Sequence, residues 1–177
     1  MKAFILFLAG IFFFSGITIG QKTYVTRNAK ISLVAIDDDD INATNNEVTS
    51  QLAPNGQITF SLLIKGLRFS SQEMQDHFNN SYIESNKFPR SDFKGTIENI
   101  KEVNFAKDGI YPVTVKGDLT MHGVKQSITS KGTITIKGGK PIAEGKFGIK
   151  LEQFNIMGGL SRPVTKGVTI TVSCHYQ

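Results

Sequence analysis

Chemistry in this 177-residue chain would be sought first at its three histidines, its one cysteine and its one acidic run. His77, His122 and His175 lie far apart, and no two have the short spacing at which a helix or strand presents paired metal ligands. A metal-dependent enzyme or metal-binding protein built on His77 and His122, with Asp118 as their partner, would need distant segments to converge. The plainer reading makes each a surface or hydrogen-bonded histidine. Cys174 cannot form an internal disulfide, and it falls on the inward parity of an alternating segment with no histidine placed beside it. It therefore reads as a small buried hydrophobe, not a nucleophile. Asp37 to Asp40 are four consecutive carboxylates without the spacing of a calcium loop, which describes a solvated loop. Serine-nucleophile motifs, a glycine-rich phosphate loop leading into a helix and paired metal-binding cysteines are absent. The expectation is a protein with no catalytic residues, no metal and no cofactor.

The elements that would position any site are strands. Tyr111, Val113, Val115, Gly117 and Leu119 alternate with Thr114, Lys116 and Asp118, the period of a strand with one buried face. Ile58, Phe60, Leu62 and Ile64 alternate likewise, as do Ile128, Ile134 and Ile136, then Ala143 to Leu151, and Val168, Ile170, Val172 and Cys174. Weaker strands are predicted near Tyr24 to Arg27, Lys30 to Ile36, Glu47 to Leu52 and Asp92 to Asn104. Turn residues fall between them at Pro54-Asn55-Gly56, Asp108-Gly109, His122-Gly123 and Gly138-Gly139, which predicts hairpins, with Gly123 at positive φ. One short helix is expected from Ser70 or Ser71, where Ser70 and Glu73 have capping-box spacing, with Asn79-Asn80-Ser81 ending it.

About eight strands with one apolar face and a single helix must close on themselves, so the fold class is all-β, an extended antiparallel barrel. Its inward parity includes Gly117, Ser130, Gly132, Ala143 and Gly145. Such small residues either leave a cavity or mark tight barrel corners, and spacing does not decide between them.

The first twenty residues set the compartment. Lys2 precedes an uncharged run from Ala3 to Phe14, and small or weakly polar residues follow to Gly20, the pattern of a signal peptide cleaved before Gln21. An uncleaved membrane anchor is the alternative. Residues 1–20 are thus expected to be a signal peptide and residues 21–177 one domain, periplasmic or secreted. The 20 Lys and Arg against 15 Asp and Glu give a net charge of +5 with both signs interspersed. That mild excess is not a nucleic-acid footprint.

Three stretches together resemble the YceI-like family of exported lipid-binding proteins. The first is Met74-Gln75-Asp76-His77-Phe78, followed by Tyr82 to Pro89 and Phe93-Lys94-Gly95. The second is the strand Val115 to Thr120 running into Met121-His122-Gly123-Val124-Lys125. The third is Phe147-Gly148-Ile149 with Phe154-Asn155-Ile156. The segment Lys30 to Leu33 followed by the acidic run departs from that family's usual histidine-containing opening. The resemblance implies a lipocalin-like barrel around a long apolar channel, with a polyisoprenoid or isoprenoid-quinone ligand and no enzymatic activity. Channel contacts are then expected from Phe60, Leu62, Val113, Val115, Ile134, Phe147, Ile149 and Ile170. Mouth contacts are expected from Met74, Phe78, Tyr82 and Phe93. A filled barrel serving a structural or interaction role is the rival. Carriage of such a lipid leaves room for transient membrane contact, and the oligomeric state is open.

Overall fold

Two-residue turns fix the hairpins on one side of the molecule. His122 and Gly123 have φ of 51° and 74°, and Gly138 and Gly139 have 57° and 72°. Positive φ at both central positions is the turn whose twist matches paired strands, so the expectation for Gly123 holds. In the computed structural model, which describes residues 22–157 and 167–177, these turns join the longest strands.

The strands are β1 (Tyr24–Ala35), β2 (Asn42–Leu52), β3 (Gln57–Leu63), β4 (Arg68–Phe69), β5 (Arg90–Ile97), β6 (Gly109–Met121), β7 (Val124–Lys137), β8 (Lys140–Lys150) and β9 (Gly167–His175); the helix α1 is Gln72–His77. Antiparallel pairing runs β1-β9-β8-β7-β6-β5-β3-β2, and a β1–β2 ladder closes the ring; β4 pairs with β2 outside it. The expected barrel of about eight strands with one short helix is the observed fold. Among the described residues no helix is long and apolar enough to cross a membrane. The leader at residues 1–20, and its cleavage before Gln21, lie outside the described residues.

Several local expectations differ from the structure. Tyr24 to Arg27 and Lys30 to Ile36 are one strand, β1, because register shifts between Thr26, Ala29 and Ile31 let it stay paired where alternation lapses. Asp92 to Asn104 is strand only to Ile97 and then passes into a 3-10 turn at Ile100–Glu102. Asp108-Gly109 closes no hairpin: Gly109 opens β6, and Asp108 Oδ1 accepts from the Gly138 N–H at 2.9 Å. The helix cap is Ser71, whose Oγ accepts from the Met74 N–H at 3.1 Å, so the Ser70–Glu73 box does not form. Beyond His77 the chain does not stop at Asn79-Asn80-Ser81 but continues through a wider π-type turn, Phe78–Tyr82.

One end of the barrel is filled by its own side chains. Leu52, Ile97, Ile136, Cys174 and Tyr176 are almost wholly buried there. Ser50 Oγ donates to the Thr59 carbonyl at 2.9 Å, which leaves the Tyr176 hydroxyl, 2.8 Å away, to donate to Ser50. Burial pushes the Cys174 thiol up to about 12 and raises Tyr176 as well.

Candidate functional site

The rest of the barrel is hollow, and the glycines show how. Gly95 and Gly117 face each other across β5 and β6. A Cβ on Gly117 would stand 2.4 Å from the Gly95 Cα and 2.7 Å from Phe93 Cζ. The missing side chains therefore seat the Phe93 ring against the wall. Gly145 is different: a Cβ there would meet nothing nearer than the Lys131 carbonyl oxygen at 3.7 Å. Gly145, Ser130 and Ala143 line open space, whereas a Cβ on Gly132 would stand 2.4 Å from the Glu144 carbonyl oxygen, so the inward small residues serve as both a corner and a cavity.

That space is about 1100 Å³, part of it open to solvent, and Phe60, Leu62, Val113, Val115, Ile134, Phe147 and Ile170 line it. A second space of about 730 Å³ lies under the α1 segment, lined by Met74, His77, Phe78, Tyr82, Ile83 and Ile149 among others. Leu33, Ile64, Leu67, Met121 and Ile170 line both, so the two apolar spaces abut along the barrel. Eight of the twelve side chains named from the sequence thus line the inner part, and Met74, Phe78, Tyr82 and Ile149 line the part beneath the helix. Two residues change place: Ile149, named for the channel, lies only in the space beneath the helix, and Phe93 moves the other way. Named for the mouth, it lies inside at 9% exposure, its ring 6.0 Å from that of Phe60. The Gly95–Gly117 gap is the physical reason.

Leu33, Ile58, Leu67 and Met121 also line the channel without having been singled out. Ile58 already stands in the inward alternation of β3, and Met121 shares the parity of the β6 residues named, so alternation extended by one step finds it. Leu67 follows the 3-10 turn Ile64–Gly66, where strand period gives no signal.

The cover over the channel is held by short-range contacts. The Phe69 and Phe78 rings lie 4.8 Å apart, and His77 meets Tyr82 edge-on at 4.9 Å. His122 ties three segments together: Nδ1 donates to the Phe154 carbonyl at 3.0 Å, Nε2 lies 3.0 Å from Glu84 Oε2, and the ring packs on Phe88 at 4.3 Å. Asp118 faces Lys125 instead. The constellation of His77, His122 and Asp118 is not assembled, and among the described residues no three His, Cys, Asp or Glu side chains come together as a metal site. Asp37 to Asp40 form the exposed β1–β2 loop, in which Asp38 Oδ1 accepts from the Asp40 N–H at 3.0 Å.

A family model described as the YceI-like domain matches residues 20–176. Among solved structures, a polyisoprenoid binding domain from Saccharophagus degradans, implicated in plant cell wall breakdown, superposes with a TM-score of 0.75 at 10% identity, covering 89% of this chain and 98% of that one. BcnA of Burkholderia cenocepacia gives a TM-score of 0.67 at 17% identity over 82% of this chain and 94% of its own. A YceI protein of Campylobacter jejuni gives 0.55 at 14% identity over 100% and 99%. At such identities these likenesses speak to the fold. A comparison with curated proteins returns no match.

Proposed function

From the premise that this chain belongs to the YceI-like family, we propose that it is an exported, non-enzymatic carrier of a long apolar lipid of the isoprenoid class. The observation that carries this reading is the pair of abutting apolar spaces that extend from the inner barrel to the underside of α1. Burying apolar surface contributes about 25 cal/mol per Å². A long hydrocarbon chain in such spaces is held by its length, and few polar contacts are needed. The binding step is sequestration and release, with no bond made or broken. Phe60, Leu62, Val113, Val115, Phe93, Ile134, Phe147 and Ile170 contact the inner part of the chain, and Met74, Phe78, Tyr82 and Ile149 the part nearest the cover.

The isoprenoid class is supported by the Saccharophagus degradans neighbour, a polyisoprenoid binding domain. Export is supported by the leader-like residues 1–20, since the family match begins where they end.

Solvent extraction and native mass spectrometry of protein purified from its own host test the carrier reading. The expected result is about one long apolar lipid per chain, a stoichiometry set by the paired spaces. Protein that is empty as isolated and takes up no added long-chain prenyl alcohol would overturn it.

A further inference from the structure

The barrel wall splits along one seam. Strands β7 and β8 pair only from Gly132 opposite Gly145 to Lys137 opposite Lys140. Beyond Gly132, among the described residues, 124–131 keep their ladder to β6 alone, and 146–150 of β8 keep theirs to β9 alone. The far end of the opening is closed by the turn Leu151–Phe154, to which Gln126 Nε2 donates at the Gln153 carbonyl, 2.8 Å, and His122 at the Phe154 carbonyl.

Two lysines flank the fork, as Lys137 and Lys140 face each other at the paired end of the same ladder. Continued by one step, the register would set Lys131 directly opposite Lys146, and both are exposed. Like charges facing each other across two strands repel. The Lys131 carbonyl, on the side of Gly145, takes a hydrogen bond from the Ser130 hydroxyl at 3.0 Å. The channel reaches this slit, because Ile128 and Ser130 on one bank and Gly145 and Phe147 on the other line the inner space and are only half-buried. Lys150 lies further along the β8 bank. Lys125, on the other, faces Asp118; Glu144, exposed and two residues from Lys146 on the same face of β8, lines the inner space together with Lys131, and Glu152 lies in the turn beyond the slit.

We propose that the slit between β7 and β8 is a side opening of the channel, and that Lys131 and Lys146 there hold a phosphate-type anionic head group on the lipid whose tail fills the barrel. This rests on the carrier reading and narrows its ligand to an anionic amphiphile. An anion between two ammonium groups removes their repulsion and gains charge-assisted hydrogen bonds from both. A neutral head group at the same place leaves the repulsion as it is.

The test compares a long-chain prenyl alcohol with the monophosphate of the same chain in competition binding to the full-length mature protein. Wild type should prefer the monophosphate by at least about tenfold at low salt, a factor that high salt erodes. In the Lys131→Gln/Lys146→Gln double variant the preference should fall below about twofold while the alcohol binds as before. Circular dichroism confirms folding. Equal binding of the two probes to wild type, a preference that survives in the double variant, or loss of both probes from it would each overturn the slit while leaving the carrier reading intact. Failure of wild type to bind either probe would overturn both.

Discussion

Cys174 and Tyr176 show what burial does to two ordinary acids. Both are held neutral in the filled end of the barrel, burial being the largest cause, with Ser50 hydrogen-bonded between strands beside them. The unfolded chain ionises its thiol near 9.0, whereas the folded chain does so near 12. The folded state therefore loses ground as pH rises past 9, because only the unfolded chain releases that proton. The stabilisation is whole below pH 9 and declines from there towards pH 12, at up to about 1.4 kcal/mol per pH unit. Tyr176 acts in the same direction from its ordinary value of 10.0. Thermal denaturation is thus expected to show a midpoint that falls above pH 9. In Cys174→Ala the fall should begin only above pH 10, where the tyrosine takes over. A wild-type midpoint unchanged to pH 11 would contradict the assignment. Parity alone marked Cys174 as buried, and Tyr176 follows two residues on with the same parity, but Ser50 comes from β2, which no spacing in the sequence relates to them.

Strand β6 carries the sharpest test of the channel at the scale of an element. Val115 lines the inner space and Lys116 is exposed, so neighbouring positions on one strand should behave oppositely. Val115→Phe fills space that the lipid needs and should weaken lipid binding by about 1 to 3 kcal/mol, the usual scale of overpacking, with the barrel still folded. Lys116→Ala removes a solvated charge and should bind within about 0.5 kcal/mol of wild type. Lipid quantified per mole of folded protein decides, and equal content in both variants would place the ligand elsewhere. The element was legible because its alternation is unbroken from Tyr111 to Leu119. Elements without that alternation were not. Strand β1 reads as two pieces in sequence, yet it is one strand because β2 and β9 pair with it from both sides. The helix cap depended on a one-residue choice between Ser70 and Ser71. Ser71 takes it because the helix begins at Gln72, so that Met74, three residues past Ser71, presents the free N–H.

The whole molecule is a closed ring of eight strands, filled at one end and hollow towards the other, with α1 over part of the hollow. The proposed export belongs to this scale, since it concerns where the whole chain is delivered. Intact-mass analysis of the exported protein should place the mature N-terminus at or near Gln21. A mass retaining Met1 would favour a membrane anchor. By itself the sequence determined the all-β class, the barrel, the inward parity of β3, β6, β8 and β9 and hence most of the channel wall, because a strand's two-residue period writes burial directly into residue order. The tertiary structure alone decided which small residues leave space. Gly117 is covered by Phe93 from β5 while Gly145 is not, and that depends on a ring folding across a strand pair. It alone decided that the β7–β8 ladder stops at Gly132 and Gly145, because alternation continues along both strands whether or not they pair. Whether two lysines stand opposite each other is a matter of register between strands, and register is set by the closed ring, not by either strand's own residues.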